Sequence, residues 1–271
     1  MTHRFALAAL ALALPFTAGA ADLPKPQALF DAHIKAIGGR KAVEAESDGT
    51  LTGSMEIVEN GMKADMRMAS LGKNRALILA IPSVGEFRSG RHGDVVWSMD
   101  PMSGPRILEG KERQDQIEPF EPKYVMRDAS LIESATTTGL SDSEGRPCHR
   151  VEISWKTGKK TVDCYGVEEK LLLSTESTAT TPMGEIKQVS HFHEYKPFGP
   201  VKAATLTRAK AGGMTQVFRL SAYDATPPSA DAVALPAAIQ TLVNKAAAPK
   251  TGEAVKTGDA QPSGSQASES K

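Results

Sequence analysis

Few side chains in this sequence have the type and spacing to do chemistry. Cys148 and Cys164 are its only cysteines, and His191 and His193 flank a phenylalanine in "HFHEY". In an oxidising compartment two thiols form a disulfide by default; two free buried thiols are the alternative. Two histidines two apart on a strand project to one face and can seat two ligands of a zinc or copper ion. No third ligand stands nearby, Glu194 points the other way, and zinc sites need three or four protein ligands, so no metal site is expected. The stretch "WSMDPMSGPRI" (97–107) offers one acid and one base. Asp100, before Pro101, reads as a turn former that bonds its own backbone. Arg106 reads as a solvated strand arginine or as a contact for a lipid headgroup. There is no G-x-S-x-G elbow, no H-E-x-x-H and no Cys/His pair with a reason to be activated. No catalytic residue is assigned, and the chain is not read as an enzyme.

Methionine is the more informative residue. Met55 and Ile57 alternate with polar residues in one run, and Met62, Met66 and Met68 in the next. Trp97 and Met99 share a face of a later run, and Met102 follows. Methionine is unbranched and polarisable, so a surface rich in it accepts variable apolar shapes. These eight residues are the candidate contacts for a flexible acyl chain. Ordinary core between a sheet and the N-terminal helix is the plainer reading of the same stripe.

Composition narrows the classes. Net charge is zero and aromatics make up 5% of the 271 residues, which leaves no basic face for nucleic acid and few stacking platforms. Residues 1–20 read as a secretory leader. A basic start precedes an apolar run from Phe5 to Phe16, and Ala18-Gly19-Ala20 gives a cleavage site after Ala20. The run is too short for a stable membrane span, and no cysteine near the cut offers a lipid anchor. A soluble periplasmic protein is expected. From residue 247 to 271 the chain is Ala, Lys, Gly, Ser, Pro, Gln and Glu without apolar periodicity, a disordered tail. That leaves 21–246 as one domain.

The elements follow from periodicity. Residues 23–37 read as a helix with Pro26 in its first turn and Gly38-Gly39 as its stop, and 40–46 as a further short turn. Strands are predicted at 51–57 and 62–68 around the Glu59-Asn60-Gly61 turn, then at 75–81, 86–91, 94–99 and 105–109. Residues 111–127 suit a helix broken at Pro119 and Pro122. More strands follow at 149–156, 160–165, 171–178, 185–194, 201–208 and 215–223, then a helical turn or two at 235–246. Alternating strands with few helices predict a mainly β fold, one strongly curved antiparallel sheet or open barrel. A hairpin turning near Gly158 would pair Trp155 with Lys159 and set Cys148 opposite Gly166. The two cysteines would then be diagonal neighbours, too far apart for an unstrained bridge without a bulge.

The segments "AHIKAIGGRKAVEA", "GTLTGSMEI", "WSMDPMSGPRIL", "GRPCHRVEI", "STESTATTPMGE" and "ALPAAI" together resemble the exported bacterial proteins named outer membrane lipoprotein-sorting proteins, which are similar to the lipoprotein carriers LolA and LolB. The resemblance implies a half-closed antiparallel barrel with a helical lid over an apolar cavity for acyl chains. It implies that Trp97, Met99 and Met102 line or rim that cavity while Pro101, Gly104 and Pro105 set the loop. The expected function is a monomeric periplasmic carrier of lipoprotein acyl chains or free lipid. It would need no cofactor, and its partner would be an inner- or outer-membrane transport protein. A non-catalytic envelope interaction module without a small ligand is the alternative.

Overall fold

The computed structural model describes residues 22–45, 48–181 and 184–247. The leader expected at 1–20 and the tail expected beyond 247 lie outside the described residues.

Helix α1 (Pro26–Ala36) begins where proline pre-sets φ and its missing N–H costs nothing. It ends at Gly38 and Gly39, whose φ of 125° and 89° suit residues without a Cβ. Leu29, Phe30, His33 and Ile34 form its buried stripe. A single turn, α2 (Arg40–Glu44), follows.

Period two then takes over. β1 (Gly49–Ile57), β2 (Met62–Leu71), β3 (Asn74–Ile81), β4 (Gly85–His92), β5 (Val95–Asp100) and β6 (Gly104–Ile107) form an antiparallel meander. A helical segment comes next, made of α3 (Gly110–Ile117), a 3-10 turn (Glu118–Phe120) and α4 (Pro122–Val125). Pro119 and Pro122 divide it as expected, because proline clashes with a helix interior. The second meander is β7 (Ile132–Ser143), β8 (Arg146–Trp155), β9 (Lys160–Gly166), β10 (Leu172–Thr181), β11 (Gly184–Phe198), β12 (Val201–Ala211) and β13 (Met214–Asp224). A 3-10 turn (Ala230–Val233) and α5 (Ala237–Ala247) complete the described chain. Strand β7 was not predicted.

Among the described residues thirteen strands join one antiparallel sheet in the order β6-β5-β4-β3-β2-β1-β13-β12-β11-β10-β9-β8-β7. The two meanders meet where β1 pairs with β13. The edges β6 and β7 do not pair, so the sheet stays open rather than closing into a barrel. The β1–β13 register shifts between Thr52 and Gly53, and a Cβ on Gly53 would stand 2.2 Å from the Arg219 carbonyl oxygen. Only glycine admits so close an approach of two backbones.

The pleat gives the sheet two faces. Through the pairings Met62–Ile57–Gln216–Ala209–Ser190–Thr175–Asp163–Val151, one face runs across from β2 to β8. This inner face carries α1, whose Leu29 and Phe30 pack on Val151, Ile153, Trp155, Tyr165 and Leu172. The α3–α4 segment spans it from the side of β5 to that of β10. The outer face of the first meander carries α5, whose Ile239 packs on Ala76 and Trp97.

Candidate functional site

Between the inner face and the helices the molecule is hollow. One cavity of about 820 Å³ lies toward β10–β12. A second, of about 410 Å³, lies toward β1–β4. Ile37, Pro119, Val125, Val201 and Ala203 line both. Each volume falls within the roughly 300–1,000 Å³ usual for small-molecule sites.

The larger hollow is floored by Leu172, Ala179, Phe192, Ala203 and Ala204, interleaved with the hydroxyls of Thr175, Ser177 and Thr207. Tyr124, Val125 and Arg127 border it from the helical side. A buried polar network ties that side to the sheet. Arg127 Nε donates to Asp163 Oδ2 at 2.7 Å. The Tyr165 hydroxyl donates to the same oxygen at 3.0 Å, and the Thr175 hydroxyl to Oδ1 at 2.9 Å. Burial works against the Arg127 charge, but Asp163 and Tyr165 more than offset it and hold the guanidinium above its ordinary value. Burial drives the Tyr165 phenol well up, and the Asp163 charge adds to this. At the rim, Lys159 Nζ joins Asp115 of α3 at 2.8 Å and Glu118 at 3.0 Å.

The smaller hollow is also largely apolar. Leu51, Met68, Val125, Phe198, Val201 and Leu220 form much of its wall. Three cations, Lys73, Arg75 and Arg91, and two acids, Glu44 and Glu121, border it. Arg91 Nη1 pairs with Glu121 at 2.8 Å, and Arg75 stacks on the Phe120 ring with Cζ 4.2 Å from the centroid.

Of the eight candidate ligand contacts, Met68 alone lines these hollows. Met55 is buried with Ala64 and Ile81, and Ile57 and Met62 pack on that cluster. Met66 is buried as well, 8% exposed. These four inner-face side chains act as core, where the sheet's curl lets them pack on one another. Trp97 and Met99 require a correction. The pairings Ala76–Gly90–Trp97 and Arg88–Met99 put them on the outer face, opposite to Leu77, Ser89 and Ser98. Trp97 is 1% exposed and packs with α5, away from the hollows. A turn whose length fixes the phase of β5 placed it there, and a one-residue step reverses the face of a whole strand. Met102 is 82% exposed at the β5–β6 turn and touches neither hollow.

The remaining sequence candidates fall as follows. Asp100 Oδ1 accepts from the backbone N–H of Met102 and Ser103, at 2.9 and 2.6 Å, which is the expected turn role. Arg106 is not simply solvated: it joins Glu112 of α3 at 2.8 Å and pins that helix to β6. Cys148 faces Gly166, and the hairpin closes with Trp155 N–H on the Lys159 carbonyl at 2.9 Å. Yet Cys148 and Cys164 are bridged, with Cα atoms 5.4 Å apart and no shift in the β8–β9 register. The expectation that a diagonal pair needs a bulge is therefore corrected: strand twist shortens one of the two diagonals. His191 Nδ1 lies 3.0 Å from the Ser143 hydroxyl, and His193 Nε2 2.8 Å from Glu144. Among the described residues no group of three metal-ligating side chains assembles. Arg75, Phe120 and the Asp163 network are the features of the candidate site that the sequence reading missed. Arg75 did leave a signal, a lone arginine in phase with Leu77, Leu79 and Ile81.

No family model matches the chain, and no curated protein does. Among solved structures it is similar to a DUF1329 family protein from Desulfovibrio piger, at 15% identity over 76% of this chain and 95% of that one, with a TM-score of 0.50. It is also similar to a LolA superfamily protein from Nitrosomonas europaea, at 11% identity over 79% and 99% of the two chains, TM-score 0.48. A third is an outer membrane lipoprotein-sorting protein domain from Vibrio parahaemolyticus, at 14% identity over 71% and 92%, TM-score 0.46. The likeness to the first of these is one of fold alone: the chain is a single open, curved antiparallel sheet with helices over its inner face.

Proposed function

We propose that the chain binds and carries acylated molecules, lipoprotein acyl chains or free lipid, in the periplasm. The observation that supports this is the pair of adjoining hollows between sheet and helices. An envelope module that only presented a surface to a partner would fill that space with side chains, because an unfilled apolar gap forfeits contacts. An acyl chain entering it would lose apolar surface to water at roughly 25 cal/mol per Å². The leader expected at 1–20 supports the exported setting. Among the described residues no helix is long and apolar enough to cross a membrane. A membrane transport protein that gives or takes the ligand would be the partner, and no catalytic step is part of this reading.

The test is native mass spectrometry of mature protein purified from a periplasm without detergent, followed by solvent extraction. A discrete added mass that extracts as an acylated molecule is expected, together with uptake of a fluorescent fatty acid. Met68→Asp should weaken that uptake at least about tenfold with an unchanged circular dichroism spectrum, since it puts a carboxylate on the apolar wall. A clean unliganded mass with no uptake would refute the carrier reading in favour of the interaction module.

A further inference from the structure

The smaller hollow has one polar feature that core packing does not explain. Arg75 is half-buried on the inner face of β3 and borders both the hollow and the narrow crevice beside it. Its Nε donates to the Ser70 hydroxyl at 3.2 Å, and its flat face rests on Phe120. Among the described residues its two terminal nitrogens make no hydrogen bond, and no carboxylate lies within ion-pair distance of them. The nearby acid, Glu121, is held by Arg91 instead. Burial pushes the Arg75 guanidinium below its ordinary value, and Glu121 does not offset it. A guanidinium whose stem, face and Nε are fixed while its fork stays open is preorganised to donate two parallel hydrogen bonds to an oxyanion.

We propose that the hollow between β1–β4 and the helices takes an anionic amphiphile, its acid headgroup on the Arg75 fork and its chain along Leu51, Met68, Val201 and Leu220. This deepens, and rests on, the reading of the hollows as an acyl-chain site. The headgroup chemistry is a carboxylate or phosphate monoester, which matches the planar fork. An uncharged chain would leave Arg75 half-buried beside hydrocarbon without a counter-charge, and so would bind more weakly.

The test uses the mature protein and displacement of an uncharged environment-sensitive dye from the hollow. Four competitors are compared: dodecanoate, dodecyl phosphate, dodecanol and inorganic phosphate. The two charged chains should bind at least about tenfold more tightly than dodecanol, as a charge-assisted bidentate contact implies. In Arg75→Gln that preference should vanish while dodecanol affinity holds, which also shows that the variant is folded. Glu121→Gln, which removes the nearby negative charge, should tighten both charged chains and leave dodecanol unchanged. Equal binding of all three chains by the wild type overturns the headgroup assignment but leaves the carrier reading standing. A preference that survives Arg75→Gln does the same. Inorganic phosphate binding as tightly as dodecyl phosphate would mean an anion site without a chain and overturns the amphiphile. Displacement by none of the chains overturns the carrier reading and this proposal with it.

Discussion

Asp163→Ala is the most exacting single perturbation of the site's architecture. Asp163 is 0% and Arg127 7% exposed. The carboxylate accepts from Arg127, Tyr165 and Thr175. Without it, Arg127 keeps one hydrogen bond, from Nη1 to the Tyr124 carbonyl at 2.9 Å, and a buried uncompensated charge. Breaking a buried pair by removing one partner costs about 3–5 kcal/mol. For a domain of this size that corresponds to a fall in Tm of about 6–20 °C. Replacing both partners by apolar residues is far cheaper, often close to neutral. The double variant Asp163→Ala/Arg127→Met should therefore be more stable than Asp163→Ala alone. Urea unfolding followed by tryptophan fluorescence reads this directly, because Trp155 stacks on Tyr124 at 4.3 Å with the Arg127 guanidinium 5.6 Å from its ring. A loss below about 1 kcal/mol in Asp163→Ala, or a double variant as costly as the two singles together, would refute the claim that this network fixes α4 over the hollow.

Three further outcomes follow from the same packing. Burial, with help from Arg127, holds the His33 imidazole down to about 4, whereas the unfolded chain takes that proton near 6.5. The unfolded state then binds more protons, so stability should fall by about 3 kcal/mol as pH drops from 6.5 to 4; His33→Gln should flatten that window in denaturant titrations. Reducing the Cys148–Cys164 bridge, which closes a separation of 16 residues, should cost about 3 kcal/mol, seen as a lower unfolding midpoint in dithiothreitol. Trp97→Ala should cost about 3–5 kcal/mol while the surviving folded protein takes up fatty acid as the wild type does. Lost uptake at unchanged stability would return Trp97 to the ligand surface.

Twelve of the thirteen strands were legible because each carries apolar residues at period two or a turn signal at its end. Strand β7 was not. Its sequence, IESATTTGLSDS, is mostly small or hydroxylic, as suits an edge strand with one solvated side, and such a run gives little hydrophobic alternation to read. The methionine stripe of β1 and β2 was legible as one face, since the Glu59-Asn60-Gly61 turn keeps Ile57 opposite Met62. The site was legible only in part. Which face Trp97 occupies depends on the phase carried through three hairpins, and that phase is set by turn geometry rather than by residue type. Whether an inner-face methionine borders a hollow or fills core depends on how far the sheet curls above it. Met68 and Met66 differ in this, although they are sequence neighbours on one face.

The strand order has a consequence in time. Each meander can form from neighbouring hairpins, but the seam that joins them pairs Thr50 with Asp224. Local hairpins close quickly, whereas a pairing across so long a loop is slow and comes late. The outer edge of β1 therefore has no partner until β13 has been made, and a nascent chain carries an unpaired edge at what will become the middle of its sheet. A chain truncated before β13 would leave that edge open for good, exposed to any other strand it meets.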